Sequence, residues 1–140
     1  ALPGTAPVSS AALALQIAMR ERLLAHAPLL ALLGGGHVFD EVPRGSHEPY
    51  VIFAAIETRD WSVQDQKAHE HFVTLDVKTK SRSRKQAQEI VGEIEAALDG
   101  AALTLAGHVL VNLRTTFWTV ARSNETFNAA VKFRAATEEI

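Results

Sequence analysis

The segment HFVTLDVKT, residues 71–79, changes character at every residue. His71, Val73, Leu75 and Val77 take one face, and Phe72, Thr74, Asp76 and Lys78 take the other. Successive side chains of a β-strand point to opposite sides of its sheet, so a period of two predicts a strand with one face covered. The closing segment repeats the pattern: Phe127, Ala129, Val131, Phe133 and Ala135 alternate with Asn128, Lys132 and Arg134. Something apolar must cover that shared face. Between the two strands, residues 83–98 supply it, with Ala87, Ile90, Val91, Ile94 and Leu98 forming one stripe at helical spacing. Ser83 and Gln86 have capping-box spacing at its start, and Asp99-Gly100 marks its end. A helix on a half-wet sheet is an α+β arrangement.

The remaining elements fit around this unit. Residues 1–8, ALPGTAPV, read as an N-terminal arm, and 9–140 as a single domain. Ser9 or Ser10 can cap a helix over 11–27, whose apolar flank is read as Leu13, Ile17, Arg20 and Leu24, widened by Leu15 and Leu23. Pro28 opens a second helical turn that the glycines 34–36 stop, and HVFDEVP is a brief extended piece. Residues 50–58 and 71–79 form one strand pair, and 108–122 and 127–137 another, joined at Ser123-Asn124. Short connections favour antiparallel pairing within each pair. The expected fold is therefore a mainly antiparallel four-stranded sheet with two principal helices on one face.

Composition excludes several functions. With 140 residues, the chain is one domain able to bury about two-thirds of its unfolded surface. It holds no cysteine, so disulfides, thiolate metal sites and cysteine nucleophiles are out. This is compatible with a cytoplasmic origin. A net charge of -2 argues against a generally nucleic-acid-binding surface and confines any basic site to a patch. AALALQIAMRERLLAHA lacks a basic leader and is interrupted by Gln16, Arg20, Glu21 and Arg22, so it does not read as a signal peptide. No apolar run reaches the roughly eighteen residues of a membrane span. A soluble protein is expected.

No catalytic constellation emerges. His69 and His71 form an H-x-H pair on one strand face, a spacing that can give zinc two ligands, but no third ligand is evident; the simpler reading is surface histidines near a loop. Asp60, Asp65, Glu57 and Glu70 have no spacing that demands acid–base work, no serine sits in a G-x-S-x-G turn, and GGG at 34–36 lacks the context of a phosphate loop. No cofactor is implied. Two surface features remain. The polar connection DWSVQDQKAHE, residues 60–70, is longer than a tight hairpin needs and carries Trp61, Val63 and Lys67. The basic run Lys78, Lys80, Arg82, Arg84 and Lys85 sits at the start of the helix, with Glu89, Glu93, Glu95 and Asp99 toward its end. Both placements oppose the helix dipole. A solvated face, a protein partner and a nucleic-acid contact all remain open for the basic run.

The order of pieces resembles the small tail-completion, or tail-terminator, proteins of long-tailed bacteriophages and gene transfer agents. APLLALLGGGHVFDEVP, PYVIF, DWS, FVTLDVKTKSRSRKQAQEIVGEIEAAL, LTLAGHVLVNLR and VKFRAATE carry the likeness, which spans residues 11–138. The resemblance implies a virion structural protein and no enzyme. It implies a homo-oligomer, a hexameric ring capping the head-proximal end of the tail tube. Its partners would be the tail tube protein and a neck or stopper protein, with DNA passing through the channel and no membrane contact. Another neck component, a small metal-dependent hydrolase using His69 and His71, and a nucleic-acid-binding module are the rivals. Trp61, Val63, Lys67, Arg82, Arg84, Lys85, Glu93 and Glu95 are the candidate interface residues.

Overall fold

A computed structural model of the chain describes residues 10–140. The arm at 1–8 lies outside them. The elements run α1 (Ala11–Leu24), α2 (Ala27–Leu33), β1 (Val38–Phe39), β2 (Tyr50–Asp60), β3 (Ala68–Lys78), α3 (Arg84–Leu98), β4 (Thr104–Leu105), β5 (His108–Ser123) and β6 (Thr126–Glu139). The class is α+β, as the alternation requires. The sheet, however, has six strands in the order β1-β2-β3-β6-β5-β4, with β1 parallel to β2 and every other pair antiparallel. The expectation of four strands missed β1 and β4 because each is two residues long and two residues show no alternation.

The two alternating segments, β3 and β6, pair with each other at the centre of the sheet. Val73 faces Phe133, Leu75 faces Val131 and Val77 faces Ala129, all on one side. These residues join Ile90, Ile94 and Leu98 of α3 and Leu15, Met19 and Leu23 of α1 in one core cluster. The helix α3 packs on β3, β5 and β6, while α1 and α2 pack on α3. Three helices, rather than two, therefore form the covering layer. Ser83 caps α3 by accepting from the Lys85 N–H at 3.2 Å. Pro28 lies in the first turn of α2, and Gly34 ends it in the left-handed conformation at φ 78°.

Which face of α1 is buried differs from the sequence reading. Ala11, Ala14, Leu15, Ala18, Met19 and Leu23 are buried, whereas Leu13 and Ile17 are half-exposed. AALALQIAMRERLL is apolar on most sides, so periodicity alone does not choose a face, and the small alanines turn inward because they permit close approach. Arg20 is no part of an apolar flank. Its Nε donates to the Val38 carbonyl at 2.9 Å and ties α1 to β1. The helix also ends at Leu24 rather than residue 27, since Ala27 already begins α2.

Truncating Leu15 to Ala should cost about 2–5 kcal/mol, as for other buried leucines. Leu13→Ala, two residues away, should change stability by no more than about 0.5 kcal/mol. Urea melts of the two variants test the assignment: a larger loss in Leu13→Ala than in Leu15→Ala would mean that α1 is seated on the other face.

Candidate interaction surface

The sheet side opposite the helices carries charge and aromatic rings together. Glu70 lies on that side, opposite in facing to His69 and His71, and accepts from Arg134 Nε at 2.6 Å. Arg134 also donates to Asn112 Oδ1 at 3.4 Å, and its guanidinium lies 5.4 Å from the Trp61 ring centre. Arg59 covers Phe72 at 5.1 Å, and the Lys132 ammonium lies 5.9 Å from the Phe117 ring. Cations over ring faces are attracted by the ring quadrupole, so these pairs shield aromatic surface while keeping the face wet.

The polar connection 60–70 is not a long loop. The β2–β3 ladder continues to Asp60 opposite His69, Trp61 N–H donates to the Ala68 carbonyl, and Val63 and Gln66 exchange both backbone hydrogen bonds. Only Gln64 and Asp65 remain as the turn, so backbone pairing continues past the ends of β2 and β3 into what the sequence presents as a loop. Trp61 and Val63 do alternate with Ser62 and Gln64, but the polar run Gln64-Asp65-Gln66-Lys67 hides the returning strand. Gln66 Nε2 donates to the Glu139 carbonyl at 2.8 Å, and Glu139 N–H to the Lys67 carbonyl at 2.9 Å. The hairpin is thereby anchored to β6, with Val63 71% exposed at its tip. Hydrogen bonds from Ser62 hold the Asp60 carboxyl below its ordinary pKa, so it is charged at neutral pH.

The basic cluster is partly engaged within the chain. Lys80 pairs with the half-buried Glu48 at 3.4 Å, and Arg82 pairs with Glu125 at 3.2 Å in an exposed setting worth little. Arg84 and Arg122 approach the Phe127 ring at 5.0 and 5.3 Å. Lys85 is exposed. Of the acids, Glu93 lies 3.6 Å from His26 Nε2, and Glu95 is half-buried. Arg84 and Glu93 are nine residues apart on α3, about 13 Å at 1.5 Å per residue, so they do not meet within one chain. Asp99 accepts from Thr115 N–H at 2.8 Å, and Gly100 N–H donates to the Leu113 carbonyl.

His71 is not a surface histidine. It is fully buried, with Nδ1 2.9 Å from Thr58 Oγ1 and Nε2 2.9 Å from Thr137 Oγ1. Both ring nitrogens are thus taken by hydroxyls. Burial first, and then the charges of His69 and His108, push its pKa down to about 4. Among the described residues no three His, Asp or Glu side chains are grouped to hold a metal, and no helix is long and apolar enough to cross a membrane.

Two exposed aromatic residues escaped the sequence reading, Phe117 and Trp118 in β5. Adjacent aromatics in a strand put one ring on each face, so at most one of them can enter the core beneath the helices. That signal was legible in TTFWTV. Here neither is buried.

The comparisons with known proteins fit this surface. The chain matches the family described as Tail completion protein gp17 over residues 17–138. It belongs to that family. A chain of the solved structure titled "Virion of native gene transfer agent (GTA) particle" is similar at 30% identity and a TM-score of 0.85, covering 93% of this chain and 99% of that one. The comparison with curated proteins gives no match. Family membership makes this a tail structural protein.

Below its ordinary pKa of 6.5 an exposed, unfolded His71 takes up a proton that the folded protein refuses until about pH 4. The unfolded state then binds more protons, so stability falls as pH drops from 6.5 toward 4. Urea midpoints should decrease over that window. The decrease should shrink in His71→Leu, and an unchanged slope in that variant would assign the titration to other groups.

Proposed function

We propose that this protein is a tail terminator: a ring of six copies that caps the head-proximal end of the tail tube and joins it to the neck. DNA passes through its channel without sequence-specific contact. The match to the tail completion family over residues 17–138 carries this reading. It is supported by the similar chain from a gene transfer agent virion. The protein does its work by contact and performs no catalysis. The surface is consistent with that role, since large side chains stand exposed at Trp61, Val63, Phe117 and Trp118 on both sides of one sheet.

In this reading the projecting hairpin, with Trp61, Val63 and Lys67, meets a neighbouring subunit or the tail tube. Tryptophan is favoured at interface centres. The basic end of α3, with Arg82, Arg84 and Lys85, meets acids of the next subunit. Of the candidate acids on α3, Glu95 is half-buried and Glu93 is directed to His26. Rim charges of this kind set register and salt sensitivity more than affinity.

A stopper or connector in the neck is the second reading, and it places the protein on a different part. In a deletion strain, heads and tails should accumulate unjoined. Headless tails from a strain blocked in head assembly should still carry the protein at one end. Finding it instead on tailless heads would make it a neck component. Val63→Asp should leave the thermal midpoint of the monomer unchanged, because the side chain is exposed, yet lower the yield of joined particles at least severalfold. Normal yields from that variant would remove the hairpin tip from the interface.

A further inference from the structure

Among the described residues the sheet is left open at both sides. At one side β1 covers β2 only at Val51 and Ile52, and among the described residues no strand pairs with the outer edge of β2 from Ala54 to Asp60. At the other side β4 covers β5 at His108 and Val109, and Asp99 with Gly100 closes the backbone at Thr115 and Leu113. From Phe117 to Ser123, among the described residues, no strand lies beside the outer edge of β5. Exposed edges invite pairing with another chain, and proteins that stay monomeric blunt them with lysine, proline or a covering loop. The stretch FWTVARS contains neither lysine nor proline, and it presents Phe117 and Trp118 half-exposed.

We infer that the subunits of the ring join edge to edge, the free edge of β5 in one copy adding to the free edge of β2 in the next. This rests on the ring reading and names its interface. The occupant is a second copy of this chain because the two edges fit each other in three independent ways.

The first is direction. Each step from β2 to β3, β6 and β5 is antiparallel, so β5 runs opposite to β2. A second copy placed alongside in the same orientation therefore continues the antiparallel alternation.

The second is parity. Val51 N–H donates outward to the His37 carbonyl, and Thr115 N–H donates outward to Asp99. Outward groups recur at every second residue, shifted by one at the irregularities Phe53/Ala55 and Thr115/Phe117. They fall on Ile56, Thr58 and Asp60 of β2 and on Trp118, Val120 and Arg122 of β5. By register these six residues also share the helix-covered face, opposite Val73, His71 and His69 in one case and Val131, Ala129 and Phe127 in the other. Hydrogen bonding and face matching thus demand the same alignment.

The third is charge. The free stretch of β2 holds Glu57 and Asp60 beside Arg59, whereas the free stretch of β5 holds Arg122 and no acid. Arg84 stands beside Arg122 over Phe127, so the basic end of α3 lies at this same seam. Asp60, which shares the helix-covered face with Arg122, is then the neighbour's acid on that side of the seam.

The two free stretches are also staggered. The row through Ala55 ends at Phe117, and the row through Tyr50 ends at Ala121, so β2 is open toward one end of the strands and β5 toward the other. Each added copy is displaced along the strand direction, as a sheet that closes around an axis requires.

The test uses the absence of cysteine from the chain. Thr58→Cys with Val120→Cys, and the other pairings of 56, 58 or 60 with 118, 120 or 122, are built into otherwise normal particles and mildly oxidised. At least one pairing should give a ladder of covalent multimers, and neither single variant should crosslink. Crosslinks from a single variant would mean a two-fold contact and overturn the inference. Intact rings by electron microscopy with no crosslink from any pairing would also overturn it, leaving the ring reading in place. Absence of rings from parent particles would remove both. Val120→Pro gives a second readout. The Val120 N–H points away from its own sheet, so the monomer should keep its thermal midpoint while ring formation is lost. Rings formed normally by that variant would overturn the inference.

Discussion

The antiparallel pairing of β3 with β6 is the contact on which the rest of the molecule depends. It brings residues 68–78 beside 126–139, and it is the only seam joining the N-terminal half of the sheet to the C-terminal half among the described residues. A slip of one residue would turn Val73, Leu75 and Val77 toward water and Phe72, Asp76 and Lys78 toward α3. The covering helix therefore fixes the register, and the register fixes everything on the open face. Glu70 reaches Arg134, and Arg134 reaches Trp61, only in that alignment. The same row structure places His71 between Thr58 and Thr137, where three strands each give one polar group to a buried site.

Much of this core was legible because alternation and helical spacing are strong signals over nine residues or more. β3, β6 and α3 follow directly from the spacing of Val73, Leu75, Val77, Ile90, Ile94, Val131 and Phe133. What the sequence hid has local reasons. β1 and β4 are two residues each. α1 is apolar nearly all round, so the choice of Ala14 and Ala18 over Leu13 and Ile17 is made by tertiary packing. The hairpin at 60–70 extends past the core, and only Trp61 and Val63 break a polar stretch whose returning arm, Gln64 to Lys67, has no alternation to show. His71 could not be distinguished from His69 by sequence, because both occupy the same strand face and differ only in burial, His71 alone being held between Thr58 and Thr137.

The candidate surface divides in the same way. Trp61 and Val63 are exposed where the sequence placed them, while Phe117 and Trp118 were overlooked because β5 reads as an ordinary apolar strand. A strand of sixteen residues exceeds what the covering layer can shield. α3 reaches it at Leu113 and Thr115 through Asp99 and Gly100, and its first turn meets Phe127 through Arg84. The outer edge in between is left to solvent or to a partner. Family membership supplies the context in which an uncovered edge is useful, since a tail component is built to be joined.

The helix charges that oppose the dipole can now be placed on the sheet rather than on the helix. An acid near a helix C-terminus is unfavourable by some tenths of a kcal/mol. Asp99, however, serves β5: it accepts the Thr115 N–H, a strand group that would otherwise stand open. At the other end, Arg84 lies against Phe127, the residue where β6 begins to be buried. Neither residue is chosen for α3 alone. Each helix end lands on a different point of the β5–β6 hairpin, and its charge answers what that point lacks, a hydrogen-bond acceptor in one case and a cap over an aromatic ring in the other. An isolated helix of this sequence would be poorly arranged; on this sheet the same residues close one part of an edge and leave the next part basic.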